Sequence, residues 1–231
     1  MKSNAILIPA RYGSTRFPAK PLAKLGEQTM IERVFWRCAR SDIDTFVLTD
    51  NEEIYNLIPE GHALLDDTPY NNGTERCAGA IRHPMFVDYN FFINVQGDMP
   101  DISYQAIYGV ITTHTIGDYE VTTACTTMPE DEQNDPNVVK IVRSKNHALW
   151  FGRGITGYGE RHLGVYGYTR RALDTYGKKN PCVAEIGEGL EQLRWLYADI
   201  PIGVTWVEFD GVEINVPDDI KKWEKNQKKM I

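Results

Sequence analysis

Along the first hundred residues, apolar positions fall into short unbroken runs separated by polar loops. Residues 5–8 (Ala-Ile-Leu-Ile) form one run, halted at Pro9. Residues 45–49 (Thr-Phe-Val-Leu-Thr) form a second, ending at Asp50, and residues 91–95 (Phe-Phe-Ile-Asn-Val) a third, ending in Gln96-Gly97-Asp98. Continuous apolar runs of this length read as strands buried on both faces, as in a parallel sheet. Between the runs the period changes. Ile31, Val34, Phe35 and Cys38 recur at helical spacing over residues 30–39, and a short helix is predicted over 75–81, after Gly73-Thr74. This alternation predicts a parallel sheet with helices on both faces.

The second half is less regular. Strands are expected at 121–125, 138–142 and 164–168. A helix is expected at 190–197, where Leu190, Leu193, Trp195 and Leu196 flank the charged Glu191 and Arg194. A polar helix over 218–229, entered through Pro217, closes the chain. No repeat, low-complexity tract or long linker interrupts the pattern. One domain over residues 1–231 is therefore expected, with a substrate-covering or dimerisation lobe at about 120–190.

Composition narrows the function. The chain carries 32 acids against 25 bases, a formal charge of -7. Such a surface is a poor coat for nucleic acid, whose binding is dominated by phosphate neutralisation. No run approaches the roughly 20 apolar residues that span a bilayer, so no membrane insertion is expected. The run before Pro9 is too short for a signal-peptide core, which points to the cytoplasm. Cys38, Cys77, Cys125 and Cys182 form no CxxC pair and lie near no histidine at zinc-ligand spacing; they read as buried thiols in a reducing compartment.

Three polar loops follow the carboxyl ends of predicted strands, where open α/β sheets bind ligands. The first, residues 11–20 (Arg-Tyr-Gly-Ser-Thr-Arg-Phe-Pro-Ala-Lys), offers three cations, two hydroxyls and a flexible glycine. That set suits a triphosphate, which needs several charge-assisted donors. It equally describes a solvated basic turn. The spacing fits neither a Walker A loop nor a dinucleotide GxGxxG fingerprint.

The segment from Ile8 to Leu22 (Ile-Pro-Ala-Arg-Tyr-Gly-Ser-Thr-Arg-Phe-Pro-Ala-Lys-Pro-Leu) resembles the signature loop of the 3-deoxy-manno-octulosonate (KDO) cytidylyltransferases, or CMP-KDO synthetases. Further segments match that family in order: Asn72-Gly-Thr-Glu-Arg76, Asn94-Val-Gln-Gly-Asp98 with Pro100, His162-Leu-Gly-Val-Tyr-Gly-Tyr168, Leu190-Glu-Gln-Leu-Arg194 and Pro217-Asp-Asp-Ile220. The likeness spans nearly the whole chain. It implies a three-layer αβα, Rossmann-like nucleotidyltransferase fold of GT-A-like type, built on a mainly parallel mixed sheet.

The resemblance also implies the chemistry. A hydroxyl of the sugar acid attacks the α-phosphorus of CTP and pyrophosphate leaves, a Mg²⁺-dependent displacement that supplies lipopolysaccharide or capsule precursors. Arg11, Lys20 and Asp98 are the implied catalytic residues. Ala10, Arg11, Gly13, Ser14, Thr15, Arg16 and Lys20, with Asn72, Gly73, Thr74 and Arg76, are implied to hold the nucleotide. Gln96, Arg153, His162, Tyr166, Glu188 and Gln192 are implied to line the sugar pocket, with Arg153 paired to the substrate carboxylate. Asp98 and Asn215 are the implied Mg²⁺ ligands, and a homodimer is implied.

Three departures bear on this reading. Where the family has a metal-binding aspartate before the late proline, alignment on Pro217 puts Asn215; alignment on Gly211-Val212 offers Glu213 instead. Met99 stands where the family usually has glutamate. The segment 154–161 is shorter than its family counterpart. These leave two further readings open: a nucleotidyltransferase for another acidic sugar, and a nucleotide-binding relative with weakened catalysis.

Overall fold

The computed structural model describes residues 4–13 and 17–228. It divides into two compact units. The first holds the chain up to residue 89, residues 94–103 and the chain from 210; the second holds 90–93 and 104–209.

In the first unit the predicted strand at 5–8 is the middle of β1 (Asn4–Ala10). It runs on through Pro9, which lies opposite Leu48 in the register. A proline one residue from the strand end forfeits a single ladder donor, so the strand passes it. A small hairpin of β2 (Lys24–Leu25) and β3 (Gln28–Thr29) leads into α1 (Met30–Ala39). Thr29 starts α1 with a reciprocal cap: its hydroxyl accepts from Glu32 N–H while Glu32 accepts from the Thr29 backbone, worth about 1 kcal/mol. Then follow β4 (Asp44–Thr49), α2 (Glu52–Asn56), β5 (Ala63–Leu65) and α3 (Gly73–Ala80). β1 pairs parallel with β4, and β4 with β5. β6 (Phe91–Val95) lies next to β1 in the strand order and is shared between the units, Asn94 and Val95 belonging to the first.

The second unit opens with α4 (Tyr104–Gly117), a helix that periodicity did not reveal. Only Ala106, Ile107 and Val110 of α4 are buried, and its polar side is interrupted by Tyr108, Ile111 and Ile116, which blurs the apolar stripe. β7 (Val121–Thr126), β8 (Lys140–Ser144), β9 (His147–Gly152) and β10 (Glu160–Thr169) follow. Then come α5 (Arg170–Tyr176), α6 (Val183–Glu188), α7 (Leu193–Tyr197) and β11 (Ile202–Trp206). Here the sheet is mixed: β7 pairs parallel with β11 and antiparallel with β10, while β8 pairs antiparallel with β9 and β10. The helix expected over 190–197 is shorter: Gly189 ends α6 with a left-handed cap (φ 64°), the chain turns through 190–192, and α7 begins only at Leu193. The segment 120–190 lies wholly in this unit.

The chain returns to the first unit for α8 (Asp218–Gln227). Leu25, Met30, Ile214 and Trp223 form a buried cluster there, with Phe17 and Ile220 packed against it. All four cysteines are buried and unpaired by disulfides.

Candidate functional site

In the first unit, predicted site residues gather at the ends of β1, β4 and β6. Ala10 is the buried last residue of β1, and Arg11, Tyr12 and Gly13 beyond it are exposed. Ser14, Thr15 and Arg16 lie outside the described residues. Asp50, at the end of β4, ties this loop to α3: Tyr12 N–H donates to its Oδ1 (2.9 Å) and Arg76 Nη2 to its Oδ2 (2.8 Å). Arg76 is 5% exposed and also donates to the carbonyl of Asp66. It braces the loop. Asn72 caps α3, its Oδ1 accepting from Glu75 N–H at 2.8 Å.

The start of α3 presses against the end of β6. A Cβ on Gly73 would stand 3.1 Å from Pro9 Cγ and 3.2 Å from Gln96 Nε2. A Cβ on Gly97 would stand 3.2 Å from the Pro9 carbonyl oxygen. A side chain at either position would crowd these neighbours, and the glycines let the α3 amino end, with its partial positive charge, come close to the end of β1. Thr74 is fully buried beneath it.

Lys20 enters from the other side. Ala19 adopts left-handed backbone (φ 51°) before a 3₁₀ turn over Lys20–Leu22. The Lys20 ammonium lies 2.6 Å from Asp98 Oδ2. The late arm reaches the same residue: Ile214 N–H donates to the Asp98 carbonyl at 3.0 Å. Glu213 and Asn215 therefore flank the residue bonded to Asp98. The arm is held from below by Asp219, whose Oδ2 accepts from the N–H groups of Asn215 (2.9 Å) and Val216 (3.0 Å). Asp101 accepts from Trp223 Nε1 at 3.1 Å, fixing α8 beneath both. Met99, which replaces the family glutamate, is fully buried, so this departure falls in the core.

The donor chemistry fits Mg²⁺. That ion asks for oxygen ligands, commonly one or two protein carboxylates, and takes the rest from water and substrate phosphates. Asp98 supplies one carboxylate, with the 213–215 arm beside it. Among the described residues no three His, Cys, Asp or Glu side chains form a ready cage, so the phosphates would complete the shell.

In the second unit, β9, β10, α6 and the start of α7 carry a separate group of predicted site residues. His162 and Tyr166 lie on β10 with ring centroids 5.2 Å apart, and Phe151 of β9 meets His162 edge-on, also at 5.2 Å. His162 is 6% exposed. Burial first, and the Arg153 charge second, push its pKa down to about 3, so the ring is neutral. Arg153 and Glu188 are brought together: Arg153 N–H donates to Glu188 Oε2 at 3.1 Å. The Arg153 guanidinium donates to the Asn137 carbonyl at 2.6 Å, and its own carbonyl accepts from Lys140 Nζ at 3.2 Å. Lys140 is 1% exposed, and desolvation lowers its pKa.

Gln192 is 2% exposed, and its Nε2 has no hydrogen-bond partner among the described residues. A buried donor in that state can bond a water or a bound molecule. Arg194 and Glu185 form a buried bidentate pair at 2.7 and 2.5 Å that locks α6 to α7. The sequence assigned no role to Asp50, Thr123, Lys140 or Asp219. Asp50 left a signal as the residue at which a predicted strand stops, and Asp219 as part of the Pro217-Asp-Asp-Ile220 match.

A family profile described as cytidylyltransferase matches residues 5–202. The chain is 35% identical to a 3-deoxy-manno-octulosonate cytidylyltransferase of Rickettsia felis, over 94% of this chain and 92% of that protein. It is 36% identical to an 8-amino-3,8-dideoxy-manno-octulosonate cytidylyltransferase of Shewanella halifaxensis, over 94% and 95%. A solved CMP:2-keto-3-deoxy-manno-octonic acid synthetase, in complex with CTP, superposes with a TM-score of 0.89 at 28% identity, over 99% of this chain and 100% of that one. A 4-diphosphocytidyl-2C-methyl-D-erythritol synthase from Anaerococcus prevotii shares the fold alone, at TM-score 0.66 and 11% identity.

Proposed function

The chain belongs to the cytidylyltransferase family, and from that premise we propose that it couples CTP to an octulosonate-class sugar acid in a Mg²⁺-dependent reaction. The products are the CMP-sugar and pyrophosphate. The observation that carries the catalytic reading is the Lys20–Asp98 pair at 2.6 Å, set between the cationic β1 loop and the 213–215 arm.

The reaction needs no covalent nucleophile, so positioning and charge supply the catalysis. Arg11 and Lys20 bind the triphosphate and hold it against the loop. The α3 amino end, kept close by Gly73, adds backbone donors. Asp98 and Asn215 would hold Mg²⁺, which when bound supplies Lewis-acid polarisation of the phosphate oxygens. Arg153 binds the substrate carboxylate, while His162, Tyr166 and Gln192 bind its hydroxyls, with Glu188 holding the Arg153 backbone. Gln96, packed beside Gly73, is assigned to the sugar acid by the same family likeness. A cytoplasmic homodimer feeding lipopolysaccharide or capsule precursors completes the proposal. No helix is long and apolar enough to cross a membrane.

Both KDO and its 8-amino-8-deoxy relative are candidates, since relatives named for each stand at similar identity. The test is pyrophosphate release with CTP and each acid, with and without Mg²⁺, and with ATP, GTP and UTP alongside. Release that requires CTP, Mg²⁺ and one of these acids is expected. A folded protein that binds CTP but releases no pyrophosphate with either acid overturns the substrate assignment.

A further inference from the structure

The hydroxyl of Thr123 decides which ring nitrogen of His162 carries the hydrogen. A threonine hydroxyl has one proton to donate. Thr123, on β7, is fully buried, and its Oγ1 donates to the Val165 carbonyl at 2.7 Å. The same oxygen lies 2.9 Å from His162 Nε2. The carbonyl has no proton to give, so the hydroxyl proton is committed to it. Toward His162 the oxygen offers only a lone pair, and Nε2 must supply the hydrogen.

The sheet geometry makes this arrangement available. The β10–β7 register slips between Leu163 and Tyr166, and Val165 lies inside that irregularity. Its carbonyl is thereby directed to a side chain. In a neutral imidazole with hydrogen on Nε2, Nδ1 is a bare acceptor. Among the described residues nothing is hydrogen-bonded to Nδ1, and it is not one of the fully enclosed polar atoms that lack a partner. Neutrality follows from the surroundings: the Phe151 and Tyr166 rings pack on the imidazole, and the nearby cation is Arg153.

We propose that Thr123 is a positioning residue that locks His162 as its Nε2–H tautomer, so that Nδ1 presents a lone pair to a hydroxyl hydrogen of the sugar acid. This rests on the reading of His162 as part of the sugar pocket. The lock separates two roles within the pocket. A bare Nδ1 accepts from a hydroxyl and repels a carboxylate, which leaves the substrate carboxylate to Arg153.

The test uses full-length protein with ¹⁵N-labelled histidine. The ring shifts of His162 should show a protonated Nε2 and an unprotonated Nδ1. Thr123→Val keeps the shape but removes the hydroxyl; it should mix the tautomers and raise KM for the sugar acid about five- to twentyfold, as expected for a lost oriented hydrogen bond. KM for CTP should stay unchanged. Thr123→Ser should restore both the shifts and KM. A wild-type ring protonated on Nδ1 overturns the proposal, as does a folded Thr123→Val protein with unchanged shifts and unchanged sugar KM. A wild type inactive with every octulosonate overturns the pocket reading instead, while the ring shifts still decide the lock.

Discussion

The ammonium of Lys20 stands 2.6 Å from the Asp98 carboxylate, so the residue implied to bind phosphate and the residue implied to bind metal neutralise each other. A metal ion approaching the free protein meets a carboxylate already paired with a cation. In the proposed mechanism an incoming triphosphate would offer Lys20 another anion and free the Asp98 carboxylate to hold Mg²⁺. The side chains keep 17% and 23% of their surface, so the pair is partly solvated and its strength is modest, about 0.4–1 kcal/mol. Lys20→Met should therefore tighten Mn²⁺ binding in the absence of nucleotide by about two- to fivefold on that basis, read by electron paramagnetic resonance. The same variant should bind CTP more weakly. Weaker Mn²⁺ binding would show that the pair does not compete with the metal.

Asp98 serves the fold through its backbone and, in the proposed mechanism, the chemistry through its side chain. Its carbonyl accepts from Ile214, an interaction that survives replacement of the carboxylate. Asp98→Asn should leave the melting temperature close to wild type and cut turnover about a thousandfold, the scale of a lost electrostatic catalytic group. On the arm, Asn215→Ala should raise the Mg²⁺ concentration for half-maximal rate, and Asn215→Asp should lower it by adding a formal charge. If Glu213→Gln produces the larger rise, Glu213 is the ligand.

The neutrality of His162 has a cost in acid. Its folded pKa, about 3, lies below the unfolded value of 6.5. Below pH 6.5 the unfolded chain takes up a proton that the folded ring refuses, so stability falls as pH drops through the window from 6.5 toward 3. The slope approaches about 1.4 kcal/mol per pH unit. Urea unfolding at pH 7.5 and 5.5 should show wild type losing about 1.4 kcal/mol more than His162→Gln on this account. Equal losses would mean that the ring is protonated in the folded state.

Glu185 and Arg194 differ from the surface pairs in what their loss leaves behind. They keep 8% and 3% of their side-chain surface, so Glu185→Ala strands a buried guanidinium and should cost about 3–5 kcal/mol. Because the pair locks α6 to α7, which end and begin beside Glu188 and Gln192, KM for the sugar acid should rise as well. Lys178 and Asp174, 2.9 Å apart but largely exposed, give the contrast: Asp174→Ala should cost no more than about 0.5 kcal/mol. Chemical denaturation of both variants checks the difference.

The sequence by itself determined the strands at 5–8, 45–49 and 91–95, because unbroken apolar runs bounded by polar loops have few other uses in a protein of this size. It also determined the loops beyond them, since residues such as Arg11, Lys20 and Asp98 stand in a linear order matching a family. Periodicity did not reveal α4, whose outward face carries apolar residues, and it drew the helix at 190–197 longer than the α7 that forms. Only the tertiary structure decided which residues share a contact. Lys20 and Asp98 are 78 positions apart, and Thr123 and His162 are 39 apart; no local pattern records such pairs. Arg76 shows the same limit. Its charge is plain in the sequence, but Asp50 and the Asp66 carbonyl claim its guanidinium. A side chain's type sets what it can bond, whereas the backbone path around it sets which partner it meets.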